Sequence, residues 1–185
     1  MDAALDGALL VFRERGYQAA SMSDLGTAMN LTTGSIYKAF SDKRAIFLAA
    51  FDRYIELRTA QLQPLLKRET TGLDKLASML RFYAETSHGA EGRSGCLVAG
   101  STMELARYDD EMAGRVAVAL RRVETTLRSL LRIGQADGSV SAEIDADVMA
   151  QTLLALLQGF RVIGKLGQDR AKMLAAAQQA LRMLR

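Results

Sequence analysis

The chain has 185 residues, of which 49% are hydrophobic and 24% charged, so it is long enough to bury a substantial core. A single Cys excludes an intrachain disulfide and a multi-cysteine metal site, and a single His argues against a histidine-rich site. The net charge of +3 is compatible with nucleic-acid binding without establishing it. One Pro, no Trp and few alternating β-branched segments predict an all-α protein.

The N-terminal segment predicts a first helix, which Gly16 ends and Tyr17 anchors at its exit. The N-terminus contains Asp2 and Asp6 and has no basic residues before its apolar run, so we expect no signal peptide. This helix should brace the elements that follow it. Its apolar positions recur at helical spacing at Ala4, Leu5, Ala8, Leu9, Val11 and Phe12.

Residues 21–43 predict two short helices separated by a tight break. Ser21 and Asp24 have the spacing of a capping box, and Asn30 tolerates the left-handed conformation that ends a helix. Thr32 is the predicted N-cap of the second short helix. Two helices of about two turns with a connection this short match the requirements of a helix-turn-helix.

The polar side of the second short helix carries hydroxyls, a phenol and a cation, at Thr33, Ser35, Tyr37 and Lys38. Such groups can approach phosphates and base edges in a major groove. Gly34 costs helix stability in the first turn, and close approach of another backbone is a physical reason to accept that cost. The spacing by itself leaves open an ordinary exposed helix in an all-α domain.

The run Leu25–Lys43 resembles the DNA-binding domain of the TetR family of transcriptional regulators. Gly26 stands where that family usually has Ala, and Asn30 where it usually has Gly, but both residues are small or turn-compatible. The resemblance implies contacts with double-stranded operator DNA, with Gly34 permitting close approach. The residues it implies as contacts are Thr32, Thr33, Ser35, Tyr37, Lys38 and Lys43.

The rest of the chain also predicts helices. Ser41 is the predicted N-cap of a long fourth helix that Pro64 limits. Thr71 opens a fifth, which His88 closes at an end where a cation is favourable. Residues 91–95 predict a flexible break before a sixth helix.

Acidic residues mark the starts of the last three predicted helices. Asp109, Asp110 and Glu111 form an acidic start to the seventh helix, where negative charge is favourable. Asp145 or Asp147 starts the eighth, and the ninth begins at about Asp169. The acidic cluster could also suggest metal chemistry, but no His stands at ligand spacing from it.

The eighth helix, VMAQTLLALLQGFRVIGKL, is apolar nearly all round and must be buried on more than one side. Gln151, Gln158 and Arg161 argue against a membrane span. The helix is either a central core helix or, together with the ninth helix, a homodimer interface. The TetR resemblance favours the dimer, and two-fold symmetry suits a reader of palindromic DNA.

Flexible or aromatic apolar residues on the middle helices could line an inducer pocket, although each alone is equally explained as ordinary core. Cys96 at a helix start is either a small buried hydrophobe or a sensor of oxidants or electrophiles. Its segment, GCLVAGSTMELA, resembles one branch of TetR regulators with a Gly-Cys-Leu run. The predicted pocket residues are Met79, Phe82, Tyr83, Cys96, Met103, Leu120 and Phe160.

The resemblance implies an all-α fold of about nine helices. A three-helix DNA-binding domain occupies residues 1–45, and a larger ligand-binding and dimerisation domain occupies residues 46–185. The implied function is a cytoplasmic, homodimeric repressor that responds to an unknown small-molecule inducer and needs no cofactor or metal. An all-α small-molecule-binding protein with a vestigial DNA-binding motif is the alternative. An enzyme is disfavoured, because no nucleophile–base set, phosphate loop or metal pair is present.

Overall fold

The computed structural model describes residues 1–185, and its regular structure consists of α-helices joined by short connections. The helices are α1 (Asp2–Ala19), α2 (Met22–Met29), α3 (Thr33–Ala39), α4 (Lys43–Arg68), α5 (Gly72–Glu85), α6 (Gly89–Ser94), α7 (Leu97–Glu104), α8 (Asp110–Asp137), α9 (Ala146–Lys165) and α10 (Arg170–Arg182). The predicted all-α fold is confirmed. The short helix α6 lies where the sequence predicted a break.

Local sequence signals set the boundaries of α2 and α3 as predicted. The Ser21 side chain accepts the Asp24 backbone N–H, and the Asp24 carboxylate accepts the Ser21 N–H, which completes the capping box. Asn30 ends α2 in the left-handed conformation, at φ 52° and ψ 45°. Thr32 starts α3 by accepting the Ser35 N–H at 3.2 Å.

Three boundaries differ from the sequence prediction. The carboxylate of Asp42, rather than the hydroxyl of Ser41, caps the start of α4 by accepting the Ala45 N–H at 2.8 Å. Adjacent Ser and Asp are both strong N-cap residues, so sequence alone does not separate them. Pro64 lies inside α4, which continues for one more turn. Helix α5 ends at Glu85, before His88.

The chain forms two compact units, each assembled from separate stretches of sequence. The first unit contains residues 1–59 and 94–116, which bring α1, α2, α3 and most of α4 together with α7 and the start of α8. The second unit contains residues 60–93 and 117–185, and therefore α5, nearly all of α6, most of α8, all of α9 and α10, and the end of α4.

Aromatic rings hold the first unit together around α1 and α4. The Phe12 ring packs edge-on against Phe47 at a centroid distance of 4.8 Å, and Tyr17 packs against the same ring at 5.1 Å. Helix α2 lies so close to α1 that a Cβ on Gly7 would stand 2.0 Å from the Ala28 carbonyl oxygen. The backbone of α2 is therefore fixed against α1, which in turn is fixed against α4.

Helix α9 runs through the core of the second unit. Its Ala150, Leu153, Leu157 and Phe160 are all buried there, among apolar side chains of α5, α8 and α10. By length and composition α9 could also cross a membrane, but these buried residues are those of a core helix. The opposite face of the helix exposes apolar side chains at Val148, Val162 and Ile163, and Leu166 just beyond the helix is exposed as well.

Candidate nucleic-acid interface

Helix α3 turns one face into the protein and leaves its other faces open. Ile36 is buried at 1% exposure and anchors the helix to the first unit. Thr33, Ser35 and Lys38 are exposed, and Tyr37 is 56% exposed. The residues predicted from sequence on this helix are therefore all accessible from outside the protein. The hydroxyl of Thr32 is engaged in the helix cap and also lies 2.9 Å from the Ser35 hydroxyl.

Gly34 has open space where a side chain would be. A Cβ built on this residue meets no atom of the protein within 4 Å. Packing within the protein therefore does not require Gly here, although Gly weakens a helix relative to Ala by up to about 1 kcal/mol. The close approach of DNA predicted at Gly34 stays a prediction.

Lys43 lies at the start of α4 with its ammonium group turned towards the end of α1. Its Nζ donates to the carbonyl oxygens of Tyr17, Gln18 and Ala20 at 3.0, 3.4 and 3.1 Å, and lies 4.5 Å from the Tyr17 ring centroid. A cation at the carboxyl end of a helix is favourable. Lys43 thus joins α1 to α4, and its predicted contact with DNA stays a prediction.

Arg44, the next residue, is held by acidic residues from the start of α8. Its Nε and Nη2 donate to the two carboxylate oxygens of Asp109 at 2.6 and 2.9 Å, and Nη2 also donates to Glu111 at 2.8 Å. Glu111 in turn accepts from Arg115 at 2.9 Å. Sequence analysis explained this acidic run only as a helix start, because a partner 65 residues away leaves no local signal.

These contacts change how positive charge is distributed around α3. Of Lys38, Lys43 and Arg44, only Lys38 makes no hydrogen bond or ion pair within the protein. The Arg44 guanidinium lowers the pKa of the Asp109 carboxyl to about 2, and the Met112 N–H contributes to the same shift. Of these three cations, Arg44 is therefore paired with carboxylates, whereas Lys43 is bound to neutral backbone carbonyl oxygens.

We expect the first unit to lose stability in acid through Asp109. Its ordinary pKa of 3.8 falls to about 2 in the folded chain, so the stabilisation is present above about pH 4 and disappears as the pH falls towards 2. Asp109→Asn should flatten this part of the pH dependence, measured by thermal unfolding from about pH 5 to about pH 2. Asp110→Asn, which removes a neighbouring carboxylate without an ion pair, should leave the slope unchanged, and equal slopes for both variants would contradict the assignment.

The residues predicted to line a pocket have different surroundings. Met79 and Phe160 are 1% exposed and belong to the core of the second unit. Phe82 packs edge-on against Tyr83, whose ring also lies 4.6 Å from the Arg161 guanidinium carbon. Leu120 is half-buried. Their role in ligand binding stays a prediction.

The two remaining pocket residues belong to the first unit. Met103 is 82% exposed near the end of α7, and Cys96 is a half-buried residue at the start of the same helix. A cleft of about 480 Å³ in the second unit is lined by residues other than the predicted pocket residues, among them Leu66, Lys67 and Leu130. His88 lies 3.0 Å from Glu85, and no cluster of three or more His, Cys, Asp or Glu residues is placed to hold a metal ion.

Comparison with known proteins connects this geometry to a family. A sequence model described as "Tetracyclin repressor-like, C-terminal domain" matches residues 72–181, and one described as "Bacterial regulatory proteins, tetR family" matches residues 4–50. The HTH-type transcriptional repressor ComR of Escherichia coli is 27% identical over 183 residues, which cover 98% of this chain and 87% of ComR.

Solved structures have the same fold. Two cysteine-substituted forms of the TetR family transcriptional regulator CifR, each complexed with a 26-base-pair double-strand operator DNA, superpose with TM-scores of 0.86 and 0.89. They are 28% and 26% identical to this chain, and the matches cover 98% and 100% of it and 95% and 96% of the CifR chains. The family models together span most of the chain, including both the helix-turn-helix and the C-terminal helices. This chain is therefore a member of the TetR family, a DNA-binding regulator of transcription.

Proposed function

We propose that the protein is a cytoplasmic repressor, not an enzyme, that binds a palindromic operator as a homodimer and releases it when a small molecule binds. Residues 1–45 would form the reader, and residues 46–185 would serve ligand binding and dimerisation. The observation that carries this proposal is the exposed polar surface of α3, which belongs to a helix-turn-helix with both caps in place. The similarity to ComR, a repressor, supports the sign of the regulation.

The proposed contacts divide by chemistry. Ser35 and Lys38 would approach base edges, because a short hydroxyl and a flexible cation on an exposed helix can reach into a major groove. Tyr37 would hold the helix in register on the phosphate backbone, as would Thr32 and Thr33. Lys43 would add positive charge next to the same backbone while it joins α1 to α4.

Exposed apolar side chains support a dimer through α9 and α10. Val162 and Ile163 of α9 are exposed, as are Leu166 just beyond α9 and Met183 just beyond α10. Clustered exposed apolar side chains are typical of an interface with another chain. A symmetric dimer would carry two copies of α3, as two half-sites about one helical turn of DNA apart require.

Release of DNA follows from linkage. A ligand that binds one arrangement of the dimer better than the DNA-bound arrangement lowers DNA affinity by the same factor by which DNA lowers ligand affinity. Helix α4 would carry this change, because it begins beside the reader and continues into the proposed ligand-binding half of the chain. A saturating inducer that left operator affinity unchanged would exclude the mechanism for that compound.

Selection from a pool of random duplexes tests the function. Purified protein should enrich a pseudo-palindrome with half-sites about 10 base pairs apart. Gly34→Ala should then weaken binding to the enriched duplex without lowering stability, because the added methyl meets nothing in the protein. Gly114→Ala, at an exposed position of α8 with equally open space, is the matched control. No enrichment at low salt would favour a small-molecule-binding protein with a vestigial motif.

A further inference from the structure

Helix α1 is kinked at Gly16, and the turn that Gly16 and Tyr17 form there is held by a carboxylate from α7. The Tyr17 backbone N–H donates to Glu104 Oε2 at 2.7 Å, across 87 residues of sequence. The preceding Gly16 has φ 79° and ψ 174°, a conformation that is essentially restricted to Gly. A Cβ on Gly16 would stand 2.2 Å from Glu104 Oε1, so the carboxylate also fills the space beside this residue.

Tyr17 connects this contact to the surface of the reader. Its carbonyl accepts from Lys43, its ring lies under the same ammonium group, and its ring also packs against Phe47. Lys43 begins α4 a short distance after α3 ends, and Met22 begins α2 a short distance after Tyr17. The position of Tyr17 therefore affects both ends of the helix-turn-helix.

Two further bonds join the segment that carries Glu104 to α1 and α4. Arg13 of α1 donates from Nε to the Gly95 carbonyl at 2.8 Å, and Arg44 of α4 binds Asp109. Glu104 lies between Gly95 and Asp109 in sequence, so its carboxylate is brought to the turn by a segment fixed on both sides. Binding surfaces need supporting contacts of this kind, because their side chains must be held within about 0.5 Å of the geometry that binds the partner.

We propose that Glu104 is a positioning residue for DNA reading: by accepting the Tyr17 N–H beside Gly16, it fixes the turn that sets α2 and the start of α4 for binding. This inference rests on the proposed DNA-binding function. The carboxylate touches no DNA itself and acts through the turn. Hydrogen bonds to charged groups are among the stronger ones, so loss of this bond releases the turn.

The test compares two substitutions at one position on the duplex enriched from the random pool. Glu104→Ala removes the acceptor and should lower affinity at least tenfold. Glu104→Gln removes the charge but keeps an amide oxygen that accepts the Tyr17 N–H, so its affinity should stay within about threefold of wild type. Glu14→Ala, which removes an exposed carboxylate of α1 that has no bond, controls for the loss of a negative charge.

The outcomes separate positioning from charge and from general stability. A pure charge effect would raise affinity equally in Glu104→Ala and Glu104→Gln, and would overturn the proposal. Faster hydrogen exchange at the Tyr17 amide in Glu104→Ala, with an unchanged circular dichroism spectrum, supports it. Wild-type affinity in Glu104→Ala overturns it. If the wild-type protein enriches no duplex, the proposed DNA-binding function is wrong. This result differs from a failure of the Glu104 proposal, because it is obtained without the variants.

A double-substitution cycle tests the contact without DNA. Gly16→Ala should destabilise the wild-type chain more than the Glu104→Ala chain, because the methyl clashes with the carboxylate only when that carboxylate is present. The free energies come from urea unfolding of the four full-length proteins. Additive effects of the two substitutions would show that Glu104 does not contact the turn, and would overturn the proposal.

Discussion

Replacing Tyr37 with alanine is expected to lower operator affinity by about a hundredfold while the fold and the dimer stay intact. The ring is 56% exposed and makes no hydrogen bond within the protein, so its removal leaves no cavity and no unpaired group. Both protomers of a dimer would lose the same interaction with DNA. A loss of about tenfold in affinity from each protomer gives a loss of about a hundredfold for the dimer. Fluorescence anisotropy with the enriched duplex measures the change.

Tyr108→Ala is the matched control for this substitution. Tyr108 is also an exposed tyrosine, at 81%, but it lies between α7 and α8, away from α3 in sequence. It should leave DNA affinity and the unfolding temperature close to wild type. Unchanged affinity in Tyr37→Ala, or an equal loss in both variants, would remove Tyr37 from the interface.

Gly164→Ala is expected to destabilise the second unit strongly, by about 3 kcal/mol. A Cβ at this position would stand 1.8 Å from the Ser87 carbonyl oxygen, which is backbone and cannot rotate away. On its other side the same oxygen faces Gly92, where a Cβ would be 2.3 Å away. The connection between α5 and α6 therefore packs closely against both glycines, and it would have to shift as a unit to make room for the added methyl group.

Movement of this connection would also break the bonds of a buried cation. Arg161 is 7% exposed and donates to the Thr86 carbonyl at 2.8 Å and to the Ser87 hydroxyl at 3.2 Å. Urea unfolding followed by circular dichroism measures the loss of stability. Gly114→Ala is the control and should stabilise the chain by up to about 1 kcal/mol, since its methyl meets nothing. Wild-type stability in Gly164→Ala would contradict the prediction and show that the connection between α5 and α6 shifts at little cost in free energy.

The fold is predictable wherever the information is local. Ser21, Asn30 and Thr32 specify α2 and α3 through bonds to residues a few positions away, and each has the predicted role. Apolar spacing identifies α9 and α10 for the same reason. The sequence prediction starts α4 at Ser41 instead of Asp42, because two adjacent N-cap residues compete and only geometry decides between them.

The interface is predictable as a set of residue types but not as a charge distribution. Lys43 and Arg44 stand in the sequence as two cations near α3, since a sequence shows charges but not their distant partners. In the folded chain Lys43 binds the end of α1, and Arg44 binds Asp109. Glu104 carries no sequence signal at all, because its partner is a backbone N–H, which every residue except Pro presents.

The discontinuous first unit also bears on how the protein matures during synthesis. Its bonds from Arg13 to Gly95 and from Tyr17 to Glu104 span 82 and 87 residues. At about 5–20 residues per second, a ribosome needs roughly 4 to 17 s after making Tyr17 to supply Glu104. During that interval α1 to α3 can form their local contacts, but the turn at Gly16 and Tyr17 has no carboxylate to hold it. A nascent chain would therefore begin to recognise DNA only after translation had passed the middle of the chain and reached Glu104.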